Sequence, residues 1–166
     1  MVMKNIFLIA VIGIFMSMSS VAWSYDMEMA KSYEKLFSTV TGGKAGKELR
    51  LVKPEDFIKG IKEGKAIIAI DVRTSAEMEV FGLTLPGSLA IPVNQLFKQE
   101  NLDRIPTDKP VMIVCQSGGR ALAVGTSLRH IGFKNVYILK GGFKSLVGYF
   151  GPKQAYQKIK PAEAKK

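Results

Sequence analysis

The sequence predicts a parallel α/β sheet with helices on both faces, and three observations carry that reading. Apolar, β-branched runs without polar alternation occur at Ala66–Val72, Val111–Val114 and Val136–Leu139, as expected of strands buried on both sides. Amphipathic helical stretches separate these runs instead of tight hairpin turns. Gly and Pro punctuate the joints where strand gives way to helix.

In chain order, Asp26–Val40 carries Met29, Tyr33, Leu36, Phe37 and Val40 at helical spacing, a packing stripe stopped by Thr41-Gly42-Gly43. Pro54-Glu55-Asp56 starts a second helix, with Pro in the first turn and acids at the positive end of the dipole. Phe57, Ile58 and Ile61 supply its apolar side and Gly64 ends it. After the strand Ala66–Val72, Thr74-Ser75-x-Glu77 reads as a capping box opening a short helix to Phe81. Leu89–Val93 reads as a short strand, followed by the strand Val111–Val114. Ala121–Ile131 is helical, with Gly132 at the position past the helix end where a left-handed residue is favoured. The strand Val136–Leu139 leads through Gly141-Gly142 into a last helix from Phe143. Residues after Gly151-Pro152 are polar and lysine-rich, a tail expected to fray.

The first two dozen residues have a different character. Lys4 precedes an uninterrupted apolar run, Ile6–Met16, then the small and polar Ser17–Ser20 and the small-x-small triplet Ala22-Trp23-Ser24. This is the pattern of a secretory signal peptide cleaved after Ser24, and the apolar run is short for a membrane span of about 20 residues. The expectation is export to the periplasm, with membrane attachment only through an uncleaved signal. The expected organisation is signal peptide at 1–24, helix and linker at 25–50, an α/β domain at 51–150 and a basic tail at 151–166.

Composition narrows the function. Lys and Arg number 24 against 14 acids, a formal charge of +10. No zinc-finger, helix-turn-helix or RNA-binding signature accompanies that charge, so nucleic acid is not the expected partner; a basic surface attracting small anions is. The chain has one cysteine, Cys115, and one histidine, His130, which together do not make a metal site. An exported protein uses cysteines in pairs, so a single thiol is inert and buried, bridged between chains, or reactive.

The surroundings of Cys115 favour the third. It ends the strand Val111–Val114, at the carboxyl edge of the sheet where open α/β folds bind ligands. Gln116, Ser117, Gly118 and Gly119 are small or flexible enough to curl their amides inward as an anion nest. Arg120 and Ala121 begin a helix whose positive end faces the same point, which favours negative charge on the sulfur. Asp71 ends a buried strand near this face, where it is positioned to orient the loop. Arg73 follows it as a group that attracts anions, although structural roles suit both better. His130, late on a helix beside Arg129, reads as a surface residue.

The stretches IDVRTSAEMEVFGLTLPGSLAIPV, VMIVCQSGGRA and GFKNVYILKGGFKSLV, in this order and spacing, resemble the single-domain rhodaneses, a family of sulfurtransferases. The resemblance covers about Leu51–Tyr149 and implies a five-stranded parallel sheet flanked by helices. It implies that Cys115 becomes a persulfide, cradled by the loop Gln116–Arg120, and that no metal or organic cofactor takes part. Related Cys-x5-Arg phosphatases have one more residue in this loop, and their histidine before the cysteine is here Val114. The shorter Cys-x4-Arg ring suits a sulfane sulfur better than a phosphoryl group. One departure stands out: where many rhodaneses have Gly-His-Ile-Pro-Gly-Ala, this chain has Leu83-Thr84-Leu85-Pro86-Gly87-Ser88.

The expected function is transfer of a sulfane sulfur from a small anionic donor such as thiosulfate to cyanide or a thiol. Two alternatives stand beside it. One is a periplasmic polysulfide-sulfur carrier, which would pair as a homodimer; the other is a non-catalytic rhodanese-like binding module.

Overall fold

The computed structural model describes residues 24–151. The expected signal peptide and basic tail lie outside the described residues, save Ser24 and Gly151. The chain divides into two units, one ending at Phe37 and the other beginning at Ser38. Within the first, helix α1 (Met27–Phe37) stops three residues short of the predicted Val40. The Asp26 carboxylate caps it by accepting from the Met29 amide at 2.9 Å, and the Tyr33 and Phe37 rings stack one turn apart with centroids 6.4 Å apart. Among the described residues, no helix is long and apolar enough to cross a membrane.

The second unit is the α/β domain. Its elements are helix α2 (Ala45–Glu48), strand β1 (Leu51–Val52), helix α3 (Pro54–Lys62), strand β2 (Ile68–Asp71), helix α4 (Ser75–Val80) and strand β3 (Leu89–Ala90). Helices α5 (Val93–Leu96) and α6 (Gln99–Leu102), strand β4 (Val111–Val114), helix α7 (Gly119–His130), strand β5 (Val136–Leu139) and helix α8 (Gly142–Tyr149) complete it. The five strands form an all-parallel sheet in the order β1-β5-β4-β2-β3. The parallel α/β architecture expected from the sequence is the one observed.

Strand β4 is central, and its side chains alternate between two cores. Val111, Ile113 and then Cys115 face the core beneath α7, with Val124, Leu128 and Ile138. Met112 and Val114 face the opposite core, with Phe57 and Ile58 of α3 and Leu146 of α8. Each such fully buried side chain contributes about 1.5–3 kcal/mol of hydrophobic stabilisation. This alternation fixes the side of the sheet on which the thiol emerges: the side covered by α7. Close approach on that side is set by Gly125, where a Cβ would stand 2.7 Å from Ile138 Cγ1.

Two of the expected strands needed correction. The strand predicted to reach Val93 ends at Ala90; Pro92 cannot donate to the ladder, and Val93 instead opens α5. The strand predicted over Ala66–Val72 shortens to Ile68–Asp71, although the Val72 amide still donates to the Val114 carbonyl at 2.8 Å.

Candidate active site

Cys115 is the first residue past β4, buried to 1% exposure. Its sulfur accepts two backbone hydrogen bonds, from the Gly118 amide at 3.1 Å and from the Ala121 amide at 3.3 Å. Gly118 makes that geometry possible by standing in the left-handed region (φ 99°, ψ −23°) at the N-cap of α7. A loop of this kind directs successive amides inward, and the sulfur also faces the positive end of a twelve-residue helix. Negative charge on Cys115, or on a group attached to it, is the charge this arrangement favours. Helix α7 starts two residues earlier than predicted, so Gly119 and Arg120 belong to its first turn.

A second helix holds the loop from behind. The Phe143 amide donates to the Cys115 carbonyl at 2.7 Å, and the Lys144 amide donates to the Gln116 carbonyl at 3.0 Å. The N-terminus of α8 thus spends its otherwise orphan donors on the outer face of the cysteine loop. The contact is so close that a Cβ on Gly142 would lie 2.2 Å from the Cys115 carbonyl oxygen, and Gly142 also has φ +61°. Only glycine fits there. Sequence reasoning took Gly141-Gly142 as a joint between strand and helix; their part in shaping the loop emerges from this packing.

Two arginine–carboxylate pairs flank the loop. Arg73 binds Asp71 with both Nε (3.0 Å) and a terminal nitrogen (2.7 Å), donates also to the Phe81 carbonyl, and lies 3.9 Å above the Phe143 ring. Both side chains of this pair are 2% exposed. Arg73 thereby ties the end of β2 to the end of α4 and the start of α8. Arg120 turns its guanidinium to Glu77, with hydrogen bonds of 2.8 and 2.7 Å to the two carboxylate oxygens. Glu77 completes the capping box as well: its Oε2 accepts from the Thr74 amide at 2.8 Å, and its own amide donates to the Thr74 hydroxyl at 3.2 Å. The Arg120 hydrogen bonds first, then the bond from the Thr74 amide, hold the Glu77 carboxyl at about 2 against an ordinary 4.5. The same pairing raises the Arg120 pKa, led by its hydrogen bonds to Glu77.

Of the residues singled out from the sequence, Cys115 and Gln116–Arg120 form one continuous turn, and Asp71 and Arg73 form the buried pair beside it. His130 ends α7, at the opposite end of that helix from the loop. Leu83 and Leu85, in the segment that departs from the rhodanese pattern, pack against the core beneath α3 and α8. Glu77, Phe81, Gly142 and Phe143 were not singled out. The capping-box motif was the one sequence signal that pointed toward Glu77.

A cleft of about 420 Å³ adjoins the loop, lined by Arg73, Glu77, Val80, Phe81, Gln116 and Phe143. A second, of about 300 Å³, shares Phe81, Gln116 and Phe143 and adds Lys144 and Val147.

The family model described as Rhodanese-like domain matches residues 53–148, more than half of the chain and all of the site above. The chain belongs to the rhodanese-like domain family. Among curated proteins, this rhodanese-like chain is 36% identical over 100 residues to the uncharacterized protein YqhL of Bacillus subtilis, covering 60% of this chain and 74% of that one. It is 28% identical over 91 residues to a protein of Allochromatium vinosum named sulfurtransferase, covering 55% and 81%. Among solved structures, a rhodanese-related protein from Thermoplasma volcanium superposes with a TM-score of 0.52 at 25% identity, over 62% of this chain and 95% of that one. The rhodanese-like match begins after α1, which therefore lies outside the family's domain.

Proposed function

We propose that this rhodanese-like protein is an exported, periplasmic sulfurtransferase that carries a sulfane sulfur on Cys115. The observation that bears most weight is the pair of amide hydrogen bonds from Gly118 and Ala121 to the Cys115 sulfur. A related protein named sulfurtransferase in Allochromatium vinosum supports the same reaction class.

The chemistry runs in two displacements. The Cys115 thiolate attacks the outer sulfur of thiosulfate; the S–S bond of the donor breaks, and its electron pair leaves with sulfite. The persulfide anion left on Cys115 has an outer sulfur about 2 Å beyond Sγ, and the amide nest offsets its charge. Cyanide or a thiolate then attacks that outer sulfur, returning the electron pair to Sγ. The cysteine itself holds the transferred atom, so the reaction draws on no metal or organic cofactor. Each well-placed donor in an anion hole of this kind accounts for roughly 10²–10³ in rate.

Mass spectrometry of the purified protein before and after thiosulfate tests the proposal. The expected result is a gain of one sulfur atom on the peptide holding Cys115, absent in Cys115→Ser. A gain of several sulfur atoms moves the reading to a polysulfide carrier. Retention of even a tenth of the transfer rate by Cys115→Ser would remove Cys115 from the nucleophile's role.

A further inference from the structure

Both arginines at the site have their charge answered within the fold, Arg73 by Asp71 and Arg120 by Glu77. Elsewhere in the fold, ion pairs join Lys59 and Lys65 to Glu63. Lys144 belongs to none of these, is exposed, and lines the 300 Å³ cleft. The rest of that lining is apolar apart from Gln116: Phe81, Phe143 and Val147. Phe81 is 67% exposed and Val147 is 58% exposed, and Val80 beside Phe81 is 69% exposed on the adjoining cleft. Apolar side chains left uncovered together around one opening mark a surface that something apolar covers. Gln116 follows Cys115 directly and Phe143 is bonded to the Cys115 carbonyl, so this lining begins where the sulfur loop ends.

Cyanide and thiosulfate are too small and too polar to use such a wall. A molecule that uses all of it has an apolar body to lie against Phe81, Phe143 and Val147, and an anionic end for Lys144. We propose that the cleft is an acceptor site for an organic thiol with an aliphatic body of several carbons and a carboxylate at its far end, held by Lys144. This rests on the sulfurtransferase reading above. In the step assigned, the acceptor thiol releases its proton to solvent and its thiolate attacks the outer sulfur of the Cys115 persulfide. The S–S bond breaks with its electron pair passing to Sγ; the products are the Cys115 thiolate and an organic persulfide, with no external oxidant or reductant.

The test uses the full chain, thiosulfate as donor and three acceptors: mercaptohexanoate, mercaptohexanol and mercaptopropionate. We expect kcat/KM for mercaptohexanoate to exceed the other two by about tenfold, since one charge-assisted contact separates it from the alcohol and one apolar stretch from the short acid. Lys144→Gln should erase the preference for acid over alcohol, and Lys144→Arg should keep it. Phe81→Ala should erase the preference for the long acid over the short one. Lys98→Gln, which removes an equal charge elsewhere, should leave both preferences intact. Equal rates with the acid and the alcohol in the wild type, or an equal loss in Lys98→Gln, would overturn the acceptor assignment. Failure of the parent reading is visible separately, as absence of persulfide on Cys115 after thiosulfate.

Discussion

Two arginine–carboxylate pairs stand on either side of the cysteine loop, alike in geometry and unlike in their access to water. Asp71 and Arg73 are each 2% exposed, and the guanidinium is stacked on Phe143 as well as bonded to its carboxylate. Glu77 and Arg120 are 31% and 34% exposed. A charge pair sealed from water is costly to break, because the surviving partner is left without solvent or counter-charge; a half-exposed pair is screened and contributes little to stability. The contrast separates two tasks. Asp71–Arg73 holds three elements together beneath the site, whereas Glu77–Arg120 sets the first turn of α7 relative to the capped start of α4. Geometry at the loop and stability of the domain are carried by different pairs.

The largest expected effect comes from breaking the buried one. Arg73→Ala should lower unfolding free energy by about 3–5 kcal/mol in urea titrations, since it strands Asp71 and uncovers the Phe143 ring. Combining Asp71→Leu with Arg73→Met should recover much of that loss. A cost below about 1 kcal/mol for Arg73→Ala would place both pairs in the same class and end the distinction.

Arg120→Ala should show the reverse balance. Its cost in stability is expected to stay within about 1 kcal/mol, as for other half-exposed pairs. Loading of Cys115 by thiosulfate should slow by roughly tenfold, because the guanidinium no longer steadies the turn that aims the amides or shares its charge with an incoming anion. Stopped-flow single turnovers and urea titration on the same preparation compare the two effects. A stability loss matching that of Arg73→Ala contradicts the comparison.

The smallest effect is in acid. The Glu77 carboxyl, held at about 2 in the fold against an ordinary 4.5, contributes stability that is fully present above pH 4.5 and is lost as pH falls toward 2. Between those limits, Glu77→Gln should therefore have a flatter stability profile than the wild type, by circular dichroism at fixed urea. Parallel profiles would mean that the pair does not form in solution.

Legibility in the sequence followed the range of the interactions involved. Strands β4 and β5 are contiguous apolar runs, and their expected bounds match those observed. The Thr74–Glu77 capping box and Gly132 past the end of α7 are local devices with local signatures. Strand β1 is two residues at the sheet edge, too short for any periodicity, and no pattern marked it apart from the resemblance to a five-stranded family. The four-residue helices α5 and α6 escaped for the same reason. At the site, the loop residues are consecutive, so the sequence alone exposed them. The Glu77–Arg120 pair joins positions 43 apart, and no single-sequence pattern encodes that meeting.

By itself, then, the sequence determined a parallel α/β sheet, the turn that follows the central strand, and the single thiol at the head of that turn. These arise from neighbours in the chain: β-branched runs, glycines, and a helix start within six residues of Cys115. Only the tertiary structure decided that the sulfur takes its hydrogen bonds from Gly118 and Ala121, that Gly142 must lack a side chain, and that both arginines are already paired. It also decided that Phe81, from the end of α4, lines one cleft with Gln116 and with Phe143 and Lys144 of α8. The physical reason is that these contacts are made between segments brought together by burial of the two cores, and close packing across a sheet leaves no trace in the order of residues along any one segment.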